Sequence, residues 1–316
     1  MWYDAFMELL HEKYPKNAQL TQEIMDLLCL EREATYRRLR KDVPFTANEI
    51  AKMAITWNIS LDEVIGVNSG QVSFQMFPLN YINPSSKDFN NLQKVIKMLD
   101  HLQTSTDSEY MEVGNIFPRP LDVLFPMLFR VRMFNWSYYY NNDISQRLLS
   151  QIVVPDNIST VLEHYKENIV RVKSCNFIID EMIFESFVQC INYFHSILVI
   201  TDEEKEIIKN ELHALLDYMI EIANKGCFPE TQNKVNIYIS QITLNTNYSY
   251  FYTDKLKTCR IHAFGKFDLS SYDPTMVANF REWMNIKKKS SILISEVNEK
   301  KRVEFFSKQR KIVDSL

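Results

Sequence analysis

The chain has 316 residues, enough for two or three domains, and its 46% apolar and 24% charged content is that of a globular protein with a substantial core. A net charge of −4 excludes non-specific coating of nucleic acid, while leaving room for a local basic patch. Only five glycines are present, which excludes glycine-rich phosphate loops and favours long helices over loop-rich, all-β designs.

Helical spacing of Phe6, Leu9 and Leu10 predicts a first helix over residues 2–14, ending before Pro15. A second covers residues 21–28, with Ile24, Met25 and Leu28 on one side, and a third covers residues 31–41. Thr46 followed by Glu49 is a capping box that opens a fourth helix, whose apolar set is Ile50, Met53, Ala54 and Trp57. Ser60 and Glu63 repeat the signature for a fifth helix, which Gly66 stops. Residues 67–85, with Gly, Pro, Ser and Asn, read as a linker or a pinned extended segment. A helix over residues 86–104 and a polar break follow. Pro118 and Pro120 then introduce an aromatic helix that ends near Tyr140 and is kinked at Pro126. Two or three long helices occupy residues 157–226, one with a Thr201/Glu204 capping box and a Gly226 stop. Beyond residue 233 the period shifts to two: Val235, Ile237 and Ile239 mark a strand, and residues 248–252 and 258–263 are further candidates. Asp273 and Pro274 start another helix, residues 292–295 form a short strand, and a final amphipathic helix begins near Glu299.

The N-terminal order carries the main functional signal. Residues 28–66 read LCLEREATYRRLRKDVPFTANEIAKMAITWNISLDEVIG: a short turn, a basic helix, a proline-containing link, an amphipathic helix and a short last helix. Its YRRLRKD (residues 36–42) and NISLDEVIG (residues 58–66) segments resemble the Xre/lambda-repressor-like helix-turn-helix family, in which the second helix packs across the third and the third enters the DNA major groove. Family members often carry glycine in the turn after the second helix, where this chain has Cys29 or Leu30. A helical wheel that seats Tyr36 and Leu39 inward turns Ala34, Arg37, Arg38 and Lys41 outward, with Arg32 and Thr35 flanking them. Arginines on such a face read guanine bidentately or grip phosphate. Thr21, Gln22 and Thr46 are expected at helix N-termini, where free N–H groups favour phosphate. A solvated basic face is the plainer alternative, as is a helical module that binds protein and has lost DNA.

PMLFRVRMFNW (residues 126–136) and KSSILISEVNEKKRVEFF (residues 289–306) resemble the C-terminal part of bacterial helix-turn-helix proteins sometimes described as BetR-like, which implies a regulator with a companion domain. The expected fold is therefore mainly α: a five-helix lambda-repressor-like domain over residues 1–66, a linker over 67–85, a helical region over 86–230 and a small α/β unit over 231–316. The aromatic stripe around Phe125, Phe129, Phe134 and Trp136 is core or, less often, a pocket lining. That stripe and the stripe of Val303, Phe306, Val313 and Leu316 are offered as surfaces for a homodimer, though the tail helix could simply dock on its own domain. No nucleophile elbow, HExxH or paired Cys/His spacing occurs, so no catalytic residue, metal or cofactor is expected. Five scattered cysteines, the absence of a leader pattern and no apolar run long enough for a membrane read as a reduced, cytoplasmic protein. The expectation is a bacterial transcription regulator that binds double-stranded DNA as a homodimer and answers an unidentified small-molecule or protein effector.

Overall fold

A computed structural model describes residues 2–57, 59–61, 64, 72–78, 93, 95–97, 99–101, 105–140, 148–263 and 267–316. The chain divides into two compact units, Met1–Gln71 and Val72–Leu316. It is mainly helical, with a sheet in the second unit.

The first unit contains α1 (Trp2–Lys13), α2 (Asn17–Leu28), α3 (Arg32–Leu39) and α4 (Ala47–Trp57). Phe6, Leu10, Leu20, Ile24, Met53 and Trp57 recur at helical spacing and bury themselves in one core. The capping box holds as read: Thr46 N–H donates to Glu49 Oε2 at 2.7 Å, and Glu49 N–H donates to Thr46 Oγ1 at 3.3 Å. Of the fifth helix, the described residues show the bond from Val64 N–H to the Ser60 carbonyl, at 3.2 Å, the buried Val64, and the half-buried Ile59 and Leu61 packed on the same core; the rest lies outside the described residues, as does most of the helix expected over 86–104.

The second unit is built on an eight-stranded sheet of order β1-β7-β6-β5-β2-β3-β4-β8. Its strands are β1 (Gln75–Pro78), β2 (Ser108–Gly114), β3 (Ser174–Ile179), β4 (Lys234–Ser240), β5 (Tyr248–Thr253), β6 (Lys257–Ala263), β7 (Phe267–Ser271) and β8 (Ser291–Leu293). β2, β3 and β4 are parallel, and every other pairing is antiparallel. Among the described residues, the α-helices between β2 and β3 are the single turn α5 (Arg119–Asp122), α6 (Pro126–Tyr140) and α7 (Asp156–Ile169), with a 3-10 turn at Leu149–Gln151; between β3 and β4 run α8 (Ile183–Ser196) and α9 (Asp202–Lys225). α10 (Pro274–Lys289) precedes β8, and α11 (Glu299–Asp314) ends the chain. The expected division into a helical region over 86–230 and a separate α/β unit over 231–316 is therefore corrected: β2 and β3, from the first segment, form the middle of the same sheet as β4 to β8. The segment read as a linker contributes β1, paired with β7, so its pinned-extended alternative applies there.

The two sheet faces differ. Met111, Val113, Ile178, Tyr250 and Cys259 point to one side, where Val277, Phe280 and Met284 of α10 cover them. Cys175, Phe177, Ile179, Val235, Ile237 and Ile239 point to the other, into the main core with α8, α9 and α11. On that second face the register crosses from Ile237 to Phe177 to Glu112, and then to Ser249, Arg260 and Ser270. Polarity thus switches at β2, and the antiparallel half of this face is a polar floor.

One local expectation changes, and two that were left open resolve. Pro126 does not kink a continuous helix: it begins α6, and Glu211 of α9 accepts the Met127 and Leu128 N–H groups at 2.8 and 2.9 Å, capping the new helix from outside. The aromatic residues Phe129 and Phe134 are core. Phe306 and Val313 of α11 are buried in that same core while Val303 is exposed, so the tail helix docks on its own unit and neither apolar stripe is left whole for a two-fold contact.

Candidate functional site

The first candidate surface is α3, presented by the turn from α2. Cys29 ends α2 in the left-handed conformation (φ 53°), and the N–H groups of Cys29 and Leu30 both reach the Met25 carbonyl. Of Cys29 and Leu30, the two places open for a turn glycine, Cys29 takes the left-handed conformation that glycine favours.

The helix is rotated from the wheel drawn on Tyr36. Thr35 is the residue facing inward, at 0% exposure, with its hydroxyl on the Glu31 carbonyl at 3.2 Å. A flanking DNA contact from Thr35 is therefore corrected: it is a core residue. Tyr36 is only half-buried, because Arg32 lies 5.5 Å over its ring and its hydroxyl accepts from Arg32 Nη2 at 3.2 Å. Arg38 is not an outward residue either. Its guanidinium donates twice to Glu49, at 2.9 and 3.2 Å, tying α3 to α4. Burial works to raise the Glu49 carboxyl, but Thr46 and Arg38 outweigh it and hold it below the usual carboxylate range. Lys41 lies past the end of α3, at φ 65°, paired with Asp4. Ala34 is half-buried.

What remains outward is Glu33, Arg37 and Arg40, with Arg32 and Tyr36 alongside. Arg40 is shared between Glu33 at 3.3 Å and Asp42 at 3.1 Å. Arg37 is exposed and makes no ion pair among the described residues.

The three expected helix N-terminus sites also move. α2 begins at Asn17, so Thr21 and Gln22 lie a full turn inside it. Thr21 is buried, bonded to the Asn17 carbonyl, and Gln22 is exposed, bonded to Asp26. Thr46 does cap α4, but the Glu49 carboxylate already occupies its N–H, which places negative charge where a phosphate would sit.

A second candidate lies on the polar floor of the sheet, and no motif announced it. A small cleft, about 20 Å³ inside, opens over β2, β5, β6 and β7. Asp268 of β7, itself buried, takes both arms of Arg119 at 2.8 and 3.0 Å and faces His262 Nδ1 at 3.1 Å and Arg260 at 3.6 Å. Burial works to raise its carboxyl, but Arg119, His262 and Arg260 outweigh this and hold it well below the usual range. Glu112 of β2 is equally buried, with the Tyr110 hydroxyl at 2.6 Å and the Arg119 N–H at 3.3 Å on Oε2, yet burial prevails and pushes its carboxyl up. Two buried acids a few residues apart in space are thus driven in opposite directions, which is a mark of functional sites as well as of structural ion-pair networks. The alternation of Thr258, Arg260 and His262 with Cys259 and Ile261 was the available sequence signal for the polar face. What gathers Glu112, Arg119 and Asp268 beside it is sheet order, which spacing does not carry.

No protein-family model, no curated protein and no solved structure matches this chain. Among the described residues, no helix is long and apolar enough to cross a membrane.

Proposed function

We propose that the first unit binds double-stranded DNA through α3 and that the chain is a transcription regulator with the second unit as companion domain. The observation that carries this is the α2–α3 pair: a short left-handed turn at Cys29 followed by a helix with Arg37 and Arg40 on its outward face. The unit has eight lysines and arginines against eleven carboxylates over residues 1–66, and five of the eight fall between Arg32 and Lys41. Attraction to phosphate is therefore local to this helix. Arg37 is assigned to base or phosphate contact, Arg40 and Arg32 to the flanks, and Arg38 to holding α3 on α4. One helix buries a small DNA surface, so two half-sites read by two copies belong to the reading, with a dimer contact other than the two stripes now seen in the core.

Selection of bound DNA from a random pool by the full chain tests it. An enriched sequence is expected, palindromic if two copies bind. Arg37→Ala with Arg40→Ala should lose ~2 kcal/mol or more of binding to it, with little change in stability. A pool that yields no enriched sequence overturns the assignment. A protein-binding module is the second reading. It is favoured by Ile55 on α4, 82% exposed, and by the unit's net acidity. Loss of a captured protein partner on Ile55→Ser, with no DNA enriched, supports it.

A further inference from the structure

The cleft of the second unit holds one buried donor that the fold leaves unused. Asn247 is 6% exposed, and its amide nitrogen Nδ2 has no hydrogen-bond partner among the described residues. The amide cannot be turned round. Its Oδ1 accepts from Asn115 N–H at 2.9 Å and Ile116 N–H at 3.4 Å, and a nitrogen in that place would face two donors. Gly114 makes room for it: a Cβ there would fall 1.9 Å from Oδ1 and 2.9 Å from Nδ2. A buried donor without a partner costs ~1–3 kcal/mol. A wall of the cleft that keeps one is shaped for an acceptor supplied from outside the chain.

The surrounding groups define the acceptor. Arg260 spends Nε on Ser270 Oγ at 3.3 Å and stands 3.6 Å from Asp268, whose oxygens Arg119 already holds at shorter range. Among the described residues, most of its donors make no hydrogen bond. Glu112 uses Oε2 for Tyr110 and Arg119, and its Oε1 accepts no hydrogen bond among the described residues. Ile116 and Tyr248 add apolar wall. The space inside the cleft is small, about 20 Å³, which excludes drug-sized ligands.

We infer that this cleft binds a compact organic acid with a hydroxyl or amino group next to its carboxylate. The carboxylate is held by Arg260 and Asn247 Nδ2, and the neighbouring donor by Glu112 Oε1. A single negative charge matches the one loosely held guanidinium. A phosphate dianion would add a second charge beside Glu112 and Asp268. This inference does not depend on DNA binding and is tested without it.

The test is calorimetric titration of the full chain with lactate, glycolate and alanine, set against lactamide and inorganic phosphate. Saturable one-site binding of at least one acid in the millimolar range is expected, and lactamide should not bind. Asn247→Asp keeps the oxygen that Asn115 and Ile116 need, but replaces the donor with a charge that repels a carboxylate, so binding should vanish while the fold stays. Arg260→Gln should weaken binding about tenfold or more. Arg281→Gln, on the opposite face of the sheet beside Glu109, should leave binding unchanged. Circular dichroism and melting of each variant separate lost binding from lost fold. The inference is overturned if no acid saturates up to tens of millimolar, if lactamide or phosphate binds as well as the acids, or if Asn247→Asp binds like the parent.

Discussion

Asp122 sits at the end of α5, 3% exposed, against the guanidinium of Arg132. Burial pushes its carboxyl up to about 7 even though Arg132 pulls it down. A carboxyl with a higher pKa folded than unfolded holds its proton more tightly in the folded chain. Its stabilising contribution is complete below the ordinary 3.8 and is lost as pH rises through about 7. Asp268 acts in the opposite sense, but its window lies below its ordinary value of 3.8 and does not overlap. Glu112, also pushed up, acts in the same sense as Asp122, so a comparison of variants is needed to separate them. Asn in place of Asp122 is neutral throughout. Between pH 5 and 8 the parent should therefore lose about 2–3 kcal/mol of stability relative to Asp122→Asn, read by denaturant unfolding at both pH values. Parallel losses in the two proteins would show that Asp122 does not titrate in this range. None of this was legible beforehand. An aspartate two residues after a proline looks like any helix-start acid until α6 lays Arg132 over it.

Elements read from local chemistry agree with the structure where that chemistry is self-contained. Thr201 and Glu204 cap α9, Gly226 ends it at φ 66°, and Asp273 accepts Met276 N–H to open α10. Each signal needs only four or five neighbouring residues. β2 and β3 were hidden because both lie inside the sheet and are covered on both faces, so SEYMEVG and SCNFII show no clean alternation. The inward face of α3 is Thr35 and not the aromatic Tyr36 that the wheel seats there. Tyr36 is satisfied at the surface by Arg32, and the small Thr35 allows the close approach to the core. The α2–α3 turn is the element most open to improvement. A non-glycine residue in the left-handed region costs roughly 1–2 kcal/mol, offset in part by the extra chain entropy that glycine carries when unfolded. Cys29→Gly should stabilise the first unit by about 0.5–1 kcal/mol, seen as a raised denaturation midpoint at unchanged slope. Cys29 is exposed, so no packing is lost. A lowered midpoint would mean that the turn depends on the cysteine side chain.

At the scale of the whole molecule, the two units have separate cores. Phe6, Leu20, Ile24 and Met53 belong to one, while the sheet and its helices form the others. Chains that divide this way need not unfold in one cooperative step. Mutations in cores that share no partners act independently. Met53 is fully buried in the first core, so Met53→Ala should cost that unit ~2–5 kcal/mol through lost burial and the cavity left behind. The four tryptophans provide separate reporters: Trp57 packs in the first core, and Trp283 packs against Tyr248 and Phe280 in the second unit. With 5-fluorotryptophan incorporated, fluorine resonances followed through a urea titration should show the Trp57 midpoint moved down by Met53→Ala and the Trp283 midpoint unmoved. The same experiment with Phe177→Ala, in the sheet core, should give the reverse pattern. Joint movement of both midpoints in either variant would show that the chain unfolds as one body. In that case, loss of binding in any DNA-face or cleft variant would have to be checked against global stability before it is assigned to either site.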